Sequence, residues 1–136
     1  MDTLIKKYEM LLKALKSLEE VIHIYNNTLP SNTEYVLRRD ALIKRFEYCS
    51  DILWKYLKNY LAERGIAPEQ ITPKSIYREC TGAKIITEEE GRILNSMVET
   101  RNQTVHTYDE EFAEIISHQI PKYYVCMQEV SKKTQP

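Results

Sequence analysis

A regular apolar repeat at the start of the chain limits the fold more than any other part of the sequence. From Leu4 to Tyr25, apolar residues alternate at steps of four and three, through Tyr8, Leu11, Leu15, Leu18 and Ile22. These steps place the side chains on one face of an α-helix, and their regularity is typical of a helix in a bundle. The repeat predicts a long helix that ends near Asn26, before the Leu29-Pro30 pair.

The scarcity of glycine favours helices throughout the chain. Three glycines in 136 residues leave few places for the tight turns of a multi-stranded sheet. A chain of this length is the size of one domain, and its 43% hydrophobic residues exclude the disordered class. We therefore expect residues 1–136 to form a single all-α domain, an up-and-down bundle of about five helices.

A second long helix is predicted after candidate N-caps at Ser31, Asn32 and Thr33. Its apolar stripe contains Leu42, Phe46, Cys49, Leu53, Tyr56 and Tyr60, with Trp54 as a further core residue. The segment 62–71 contains Gly65 and Pro68, so the helix should end there in a surface connection. We expect the first two helices to pack antiparallel.

Capping signals delimit the remaining helices. Thr72-Pro73 opens a short third helix with Gly82 as its stop, and Thr87 with Glu90 has the spacing of a capping box that starts a fourth. Thr107 and Glu110 repeat this spacing and predict the start of a fifth helix. Pro121 is expected to break or kink the fifth helix, and residues 131–136 are expected to fray.

Charge and cysteine content restrict the function classes. The net charge of -1 excludes a basic field over the whole molecule, so any contact with nucleic acid must be local. Arg38, Arg39, Lys44 and Arg45 form a basic cluster, which we interpret mainly as a solvated helix face. Three widely spaced cysteines indicate buried thiols, and the N-terminus carries no apolar signal core. The chain is therefore expected to be cytoplasmic.

The most unusual local chemistry lies between the fourth and fifth helices, in an Arg-Asn-x-x-x-His-x-Tyr motif. It comprises Arg101, Asn102, His106 and Tyr108. On a straight helix Asn102 and His106 share a face, whereas Arg101 and His106 diverge by about 140°. Two copies of the chain around a twofold axis could bring both residue types into one cleft.

Such a cleft is suited to the metal-free cleavage of RNA. One imidazole can take a proton from a ribose 2′-hydroxyl while a second gives a proton to the leaving oxygen. Arg101 could balance the charge on phosphorus, and Asn102 could orient the phosphate or His106. The alternative is a polar cluster that only caps helix ends and meets solvent. The acidic residues 109–111 suggest helix opening rather than a metal site.

The motif segment RNQTVHTYDE, residues 101–110, closely resembles the hallmark of HEPN proteins of the nucleotidyltransferase substrate-binding family, which includes HepT-like toxins. A second stretch, RDALIKRFEY at residues 39–48, is similar to the second helix of that family. The resemblance extends over nearly the whole chain and implies a helical bundle that dimerises along its motif-bearing helices.

Membership would imply a toxin–antitoxin pair. By position, Arg101 and His106 would be the catalytic residues of an endoribonuclease and Asn102 a supporting residue. Tyr108 would receive AMP from a cognate minimal nucleotidyltransferase, the antitoxin, and no metal or other cofactor is implied. The family also includes members of uncertain nuclease activity, so a noncatalytic substrate-binding or adaptor subunit of the nucleotidyltransferase remains the alternative.

Overall fold

A computed structural model describes residues 2–136, with Asp2 described only in its backbone, and within this range the chain forms five α-helices and no strand. The helices are α1 (Asp2–Asn26), α2 (Tyr35–Glu63), α3 (Pro73–Gly82), α4 (Glu88–Gln103) and α5 (Glu110–Lys133). A single 3₁₀ turn, Thr104–His106, joins α4 to α5. The prediction of an all-α bundle of about five helices is confirmed.

The two long N-terminal helices pack antiparallel, as predicted. Tyr8 near the start of α1 contacts Tyr56 near the end of α2, with ring centroids 5.4 Å apart. At the other end of the pair, the rings of Tyr25 and Tyr35 lie 5.3 Å apart. The apolar repeats of both helices face the core, so burial of these side chains supplies the main stabilisation of the pair.

The fifth helix runs antiparallel to α1 along its whole length. The Tyr8 hydroxyl donates to the Ser131 carbonyl oxygen at 3.0 Å, and the Tyr124 hydroxyl donates to the Glu19 carboxylate at 2.7 Å. On its inner face Tyr123 is buried, with its hydroxyl 2.9 Å from that of Thr100 on α4. Because α5 contacts α1, α2 and α4, it connects the N-terminal pair to the helix that carries the motif.

The packing of α3 against α4 fixes where α4 begins. Buried Gly91 lies so close to α3 that a Cβ placed there would be 2.4 Å from Thr81 Oγ1. Thr87 and Glu90 form the predicted capping box, and Lys133 near the end of α5 also pairs with Glu90 at 2.7 Å. The start of α4 is therefore held by both α3 and α5.

The buried residues follow the predicted stripes closely. All six residues of the predicted α2 stripe are buried, and so are the three free cysteines. Burial raises the pKa of the Cys49 thiol to about 12, as expected for a thiol without a nearby cation. Trp54 is only half-buried and packs against the core from outside, so the prediction of a core residue is correct only in part.

Two predicted N-caps are wrong. The second helix has Glu34 at its N-cap without a side-chain hydrogen bond, whereas Asn32 accepts from the Glu34 backbone N–H at 2.8 Å in a turn before the helix. The fifth helix begins after Asp109, whose carboxylate accepts from the Phe112 N–H at 3.2 Å. Thr107 instead follows the 3₁₀ turn in a helical conformation, where its hydroxyl donates to the turn.

One helix end differs from its prediction, and another agrees. Pro121 does not break α5, which continues to Lys133, and buried Thr134 shows that this end is packed rather than frayed. The third helix ends at Gly82 as predicted, but the left-handed residue after it is Lys84, with a φ of 61°. The connection after α2 does use a glycine in this conformation, since Gly65 has a φ of 71°.

Candidate functional site

The four motif residues lie on three consecutive elements at one end of α4. Arg101 and Asn102 belong to the last turn of α4, His106 ends the 3₁₀ turn, and Tyr108 precedes α5. Because the α-helix stops at Gln103, the straight-helix angles used in the sequence prediction do not extend to His106. No hydrogen bond or ion pair joins Arg101 to His106 among the described residues.

Two carboxylates of α2, here called the acidic pair, hold the Arg101 guanidinium. Nε and Nη2 donate to the two oxygens of Asp51 at 3.2 Å and 3.1 Å, and Nη1 donates to Glu47 at 3.0 Å. The hydrogen bonds to Asp51 raise the pKa of Arg101 above its ordinary value. The arginine is therefore a fixed cation whose donors are already oriented.

Thr104 completes this network beneath the guanidinium. Its hydroxyl oxygen lies 3.1 Å from both Arg101 Nη1 and Glu47 Oε2, and 2.8 Å from the Arg101 carbonyl oxygen. Thr104 is buried, so the 3₁₀ turn is anchored to α4 and α2 through this side chain. The sequence prediction missed Glu47, Asp51 and Thr104, because the first two precede the motif by about fifty residues and carry no local signal.

His106 and Tyr108 project from the turn between α4 and α5. Tyr108 is 82% exposed, and its hydroxyl lies 3.5 Å from His106 Nδ1. The edge of Phe112 meets the His106 ring with centroids 6.4 Å apart. A nucleophilic phenol oxygen and an imidazole thus stand side by side in open solvent, where either can meet another molecule.

Asn102 lies in a shallow pocket on the other side of Arg101. This pocket has a volume of about 210 Å³ and is also lined by Trp54, Val98 and Val105. Asn102 is exposed and Val105 is 68% exposed, so an amide and an apolar side chain adjoin the guanidinium. Asn102 and Arg101 therefore line the same pocket, and His106 is not among its lining residues.

Arg39 corrects the interpretation of the basic cluster on α2. Its side chain is only 4% exposed, and Nη1 donates to Glu114 of α5 at 3.1 Å. Burial raises the pKa of Glu114, but hydrogen bonds from Tyr35, Arg39 and Tyr25 outweigh burial and lower it below its ordinary value. Arg39 is therefore a structural residue that joins α2 to the start of α5, while Lys44 and Arg45 remain exposed.

No group of three or more His, Cys, Asp or Glu side chains suited to a metal ion occurs in residues 3–136, whose side chains the structure describes. Glu110 and Glu111 lie in the first turn of α5, as the sequence predicted. Carboxylates at this position interact favourably with the helix dipole. Within the same range, none of the helices is both long enough and apolar enough to cross a membrane.

The helical bundle and the motif between α4 and α5 are those expected of the nucleotidyltransferase substrate-binding family. The chain belongs to the family described as nucleotidyltransferase substrate binding protein like, whose model matches residues 6–135. A search of the curated proteins gave no significant match.

Solved structures with the same fold include one relative of substantial sequence identity. A Thermus thermophilus protein is 33% identical, with a TM-score of 0.79 over 93% of this chain and 99% of its own. A tri-AMPylated Shewanella oneidensis HEPN toxin in complex with its MNT antitoxin is 17% identical, with a TM-score of 0.75 over 98% and 96% of the two chains. A toxin–antitoxin structure with AMP-PNP is 16% identical, with a TM-score of 0.72 over 99% of both. The resemblance to HepT-like HEPN proteins is confirmed at the level of family and fold.

Proposed function

We propose that this protein is a metal-independent endoribonuclease, the toxin of a toxin–antitoxin pair that acts in the cytoplasm. The observation that carries the proposal is the complete motif at one exposed helix junction. Arg101 is held with its donors oriented, while His106 and Tyr108 project into solvent. Membership of the nucleotidyltransferase substrate-binding family and the shared fold of a HEPN toxin in complex with MNT antitoxin support the same assignment.

The catalytic unit is a homodimer in which the motif surfaces of two protomers face each other. Exposed Val105 and Tyr108 flank His106 and supply apolar surface for such an interface. One His106 takes the proton of a ribose 2′-hydroxyl while the oxygen of that hydroxyl attacks phosphorus. The other His106 gives a proton to the departing 5′-oxygen, which leaves a 2′,3′-cyclic phosphate and a 5′-hydroxyl. Arg101 stabilises the charge on phosphorus, and Asn102 supports the phosphate.

Tyr108 is the site at which a cognate minimal nucleotidyltransferase silences the enzyme. Its phenol oxygen attacks the α-phosphorus of a nucleoside triphosphate, AMP is transferred, and pyrophosphate leaves. Because the hydroxyl lies 3.5 Å from His106 Nδ1, the added nucleotide would stand directly beside the proposed acid–base group. Its bulk and negative charge would exclude RNA from the cleft.

One observation favours a second candidate function, a noncatalytic subunit that presents a substrate to the nucleotidyltransferase. Asp51 fills the Nε/Nη2 edge of the Arg101 guanidinium, and Glu47 and Thr104 accept from Nη1, so few of its donors are left for a phosphate. An arginine with a purely structural role would have the same partners. This adaptor would bind its partner stably and leave RNA intact.

Purified protein incubated with cellular RNA in EDTA tests the proposal. Wild type is compared with Arg101→Ala, His106→Ala and, as a matched control, His23→Ala, which removes an exposed histidine of α1. We expect wild type and the His23 variant to produce 2′,3′-cyclic phosphate ends and the two motif variants to lose at least 100-fold in rate. Light scattering of the same samples should give the mass of a dimer.

Intact RNA with all four unmodified, folded proteins would refute the nuclease and favour the adaptor. Modification is tested separately with a cognate minimal nucleotidyltransferase and a nucleoside triphosphate. Mass spectrometry should locate AMP on Tyr108 in wild type, and a Tyr108→Phe variant should remain active but resist silencing. A monomer that cleaves RNA at the full rate would refute the composite site.

A further inference from the structure

A groove outside the motif lies between α1 and α2 and has a volume of about 560 Å³. Three cations, Lys13, Arg45 and Lys55, line it together with the apolar residues Met10, Tyr48 and Ile52. The Tyr48 side chain is 57% exposed and that of Met10 is 56% exposed, so both are open to a ligand. The groove thus combines an accessible aromatic ring with several positive charges.

The charge in the groove is positive although the whole chain carries a net charge of -1. Among the described lining residues Asp51 is the one carboxylate, and its two oxygens already accept from Arg101. Lys44 adds a further cation, with its Nζ 5.5 Å from the centroid of the Tyr48 ring. A polyanion would therefore meet unneutralised cations here.

The groove adjoins the candidate active site. Asp51 lines both the groove and the pocket that contains Arg101 and Asn102, so one side chain separates the two. Arg45 is held over α1 by a hydrogen bond from Nη1 to the Ser17 carbonyl oxygen at 3.2 Å. Because Asp51 lies between Arg45 and Lys55 on α2, a strand bound along these cations would pass beside Asp51 and would have Arg101 directly across that side chain.

We propose that this groove binds single-stranded RNA and leads it to Arg101. Lys13, Arg45 and Lys55 contact backbone phosphates, and a base stacks on Tyr48. Cations that follow a backbone, together with an exposed aromatic ring, are the elements by which proteins bind single strands without reading sequence. The inference rests on the proposed ribonuclease function, and it adds the surface that captures the substrate.

Binding of a fluorescent oligouridine in EDTA, measured by anisotropy, tests the inference. All proteins carry His106→Ala, so the measurement does not require cleavage. The groove variant is Lys13→Glu with Lys55→Glu, and the matched control is Lys122→Glu with Lys132→Glu, two exposed lysines of α5 outside the groove. We expect the groove variant to bind at least tenfold more weakly and the control to bind within about twofold of the parent.

The salt dependence gives a second readout of the same contacts. Each phosphate contact on a single strand contributes about 0.7 to the slope of log affinity against log salt. Loss of two contacts should therefore reduce the slope by about 1.4 in the groove variant and leave it unchanged in the control. Circular dichroism shows whether each variant is folded.

Tyr48→Leu tests stacking with little change in charge. It should weaken oligouridine binding by about fivefold or more, and it should not change the binding of an abasic oligonucleotide of equal length. The inference would be overturned if the groove and control variants lost RNA affinity equally. It would also be overturned if the parent bound no oligouridine measurably. It would also be overturned if the groove variant kept its RNA affinity but failed to bind the nucleotidyltransferase, because the groove would then be a protein interface.

Discussion

Replacement of Gly91 by alanine should destabilise the protein even though alanine is the better helix former. The new Cβ would lie 2.4 Å from Thr81 Oγ1, about 1 Å inside an ordinary contact, whereas the next atoms are at 3.5 Å and 3.6 Å. Thr81 cannot move freely, because its hydroxyl donates to the Tyr77 carbonyl oxygen at 2.9 Å and its χ1 angle is restricted in a helix. The overlap must be relieved by a shift of α3 against α4.

Overpacking of this kind costs about 1–3 kcal/mol, and the helix propensity of alanine returns about 1 kcal/mol. We expect Gly91→Ala to lower the free energy of unfolding by up to about 2 kcal/mol. With Thr81→Ala already present, the close oxygen is gone and the same change should stabilise by up to about 1 kcal/mol. Urea unfolding of the four proteins measures both effects. A Gly91→Ala effect of the same sign and size in both backgrounds would refute the proposed overlap.

The remaining predictions concern the start of α5. Because the folded-state pKa of Glu114 is lowered, its charge stabilises the protein above the unfolded pKa of about 4.3, and this stabilisation is lost as the pH falls through the folded value. Glu114→Gln should therefore be less stable than wild type at pH 7, with a difference that shrinks at pH 3 in urea unfolding; a constant difference would exclude a role for ionisation. Asp109→Ala should cost about 1 kcal/mol of unfolding free energy because it removes the N-cap. Thr107→Ala should lower the free energy of unfolding by less than Asp109→Ala does. The reverse order would show that Thr107 is the N-cap of α5, as predicted from the sequence.

The parts of the fold set by local signals could be predicted from the sequence. Thr72 and Thr87 accept the N-cap hydrogen bonds expected of them, and the apolar steps in α1 and α2 identify the core face. Two cap candidates compete before α5, however. Thr107 continues the helical conformation with a ψ of -1°, whereas Asp109 is extended with a ψ of 114°. The length of the 3₁₀ turn determines which of the two residues is the N-cap, and no local sequence pattern predicts that length.

The surroundings of the motif could not be predicted for a different reason. Asp51 precedes Arg101 by 50 residues, and Arg39 precedes Glu114 by 75. A charged residue on a helix is ordinarily solvated, so the sequence alone assigns Arg39 to a solvated face, although α5 brings a carboxylate that makes its burial possible. The identity of the motif residues followed from the sequence, while their partners depend on tertiary packing.

The acidic pair has a consequence for the ions that surround the molecule. A solvated arginine attracts a diffuse anion, whereas Arg101 already has two protein carboxylates as counterions. A phosphate that binds this guanidinium in a bidentate contact must displace a carboxylate, and it neutralises no charge that was previously open to salt. The exchange makes Arg101 contacts sensitive to geometry and nearly insensitive to ionic strength. Salt would then govern how firmly a polyanion is held by the exposed lysines, and would leave its fit against Arg101 largely unchanged.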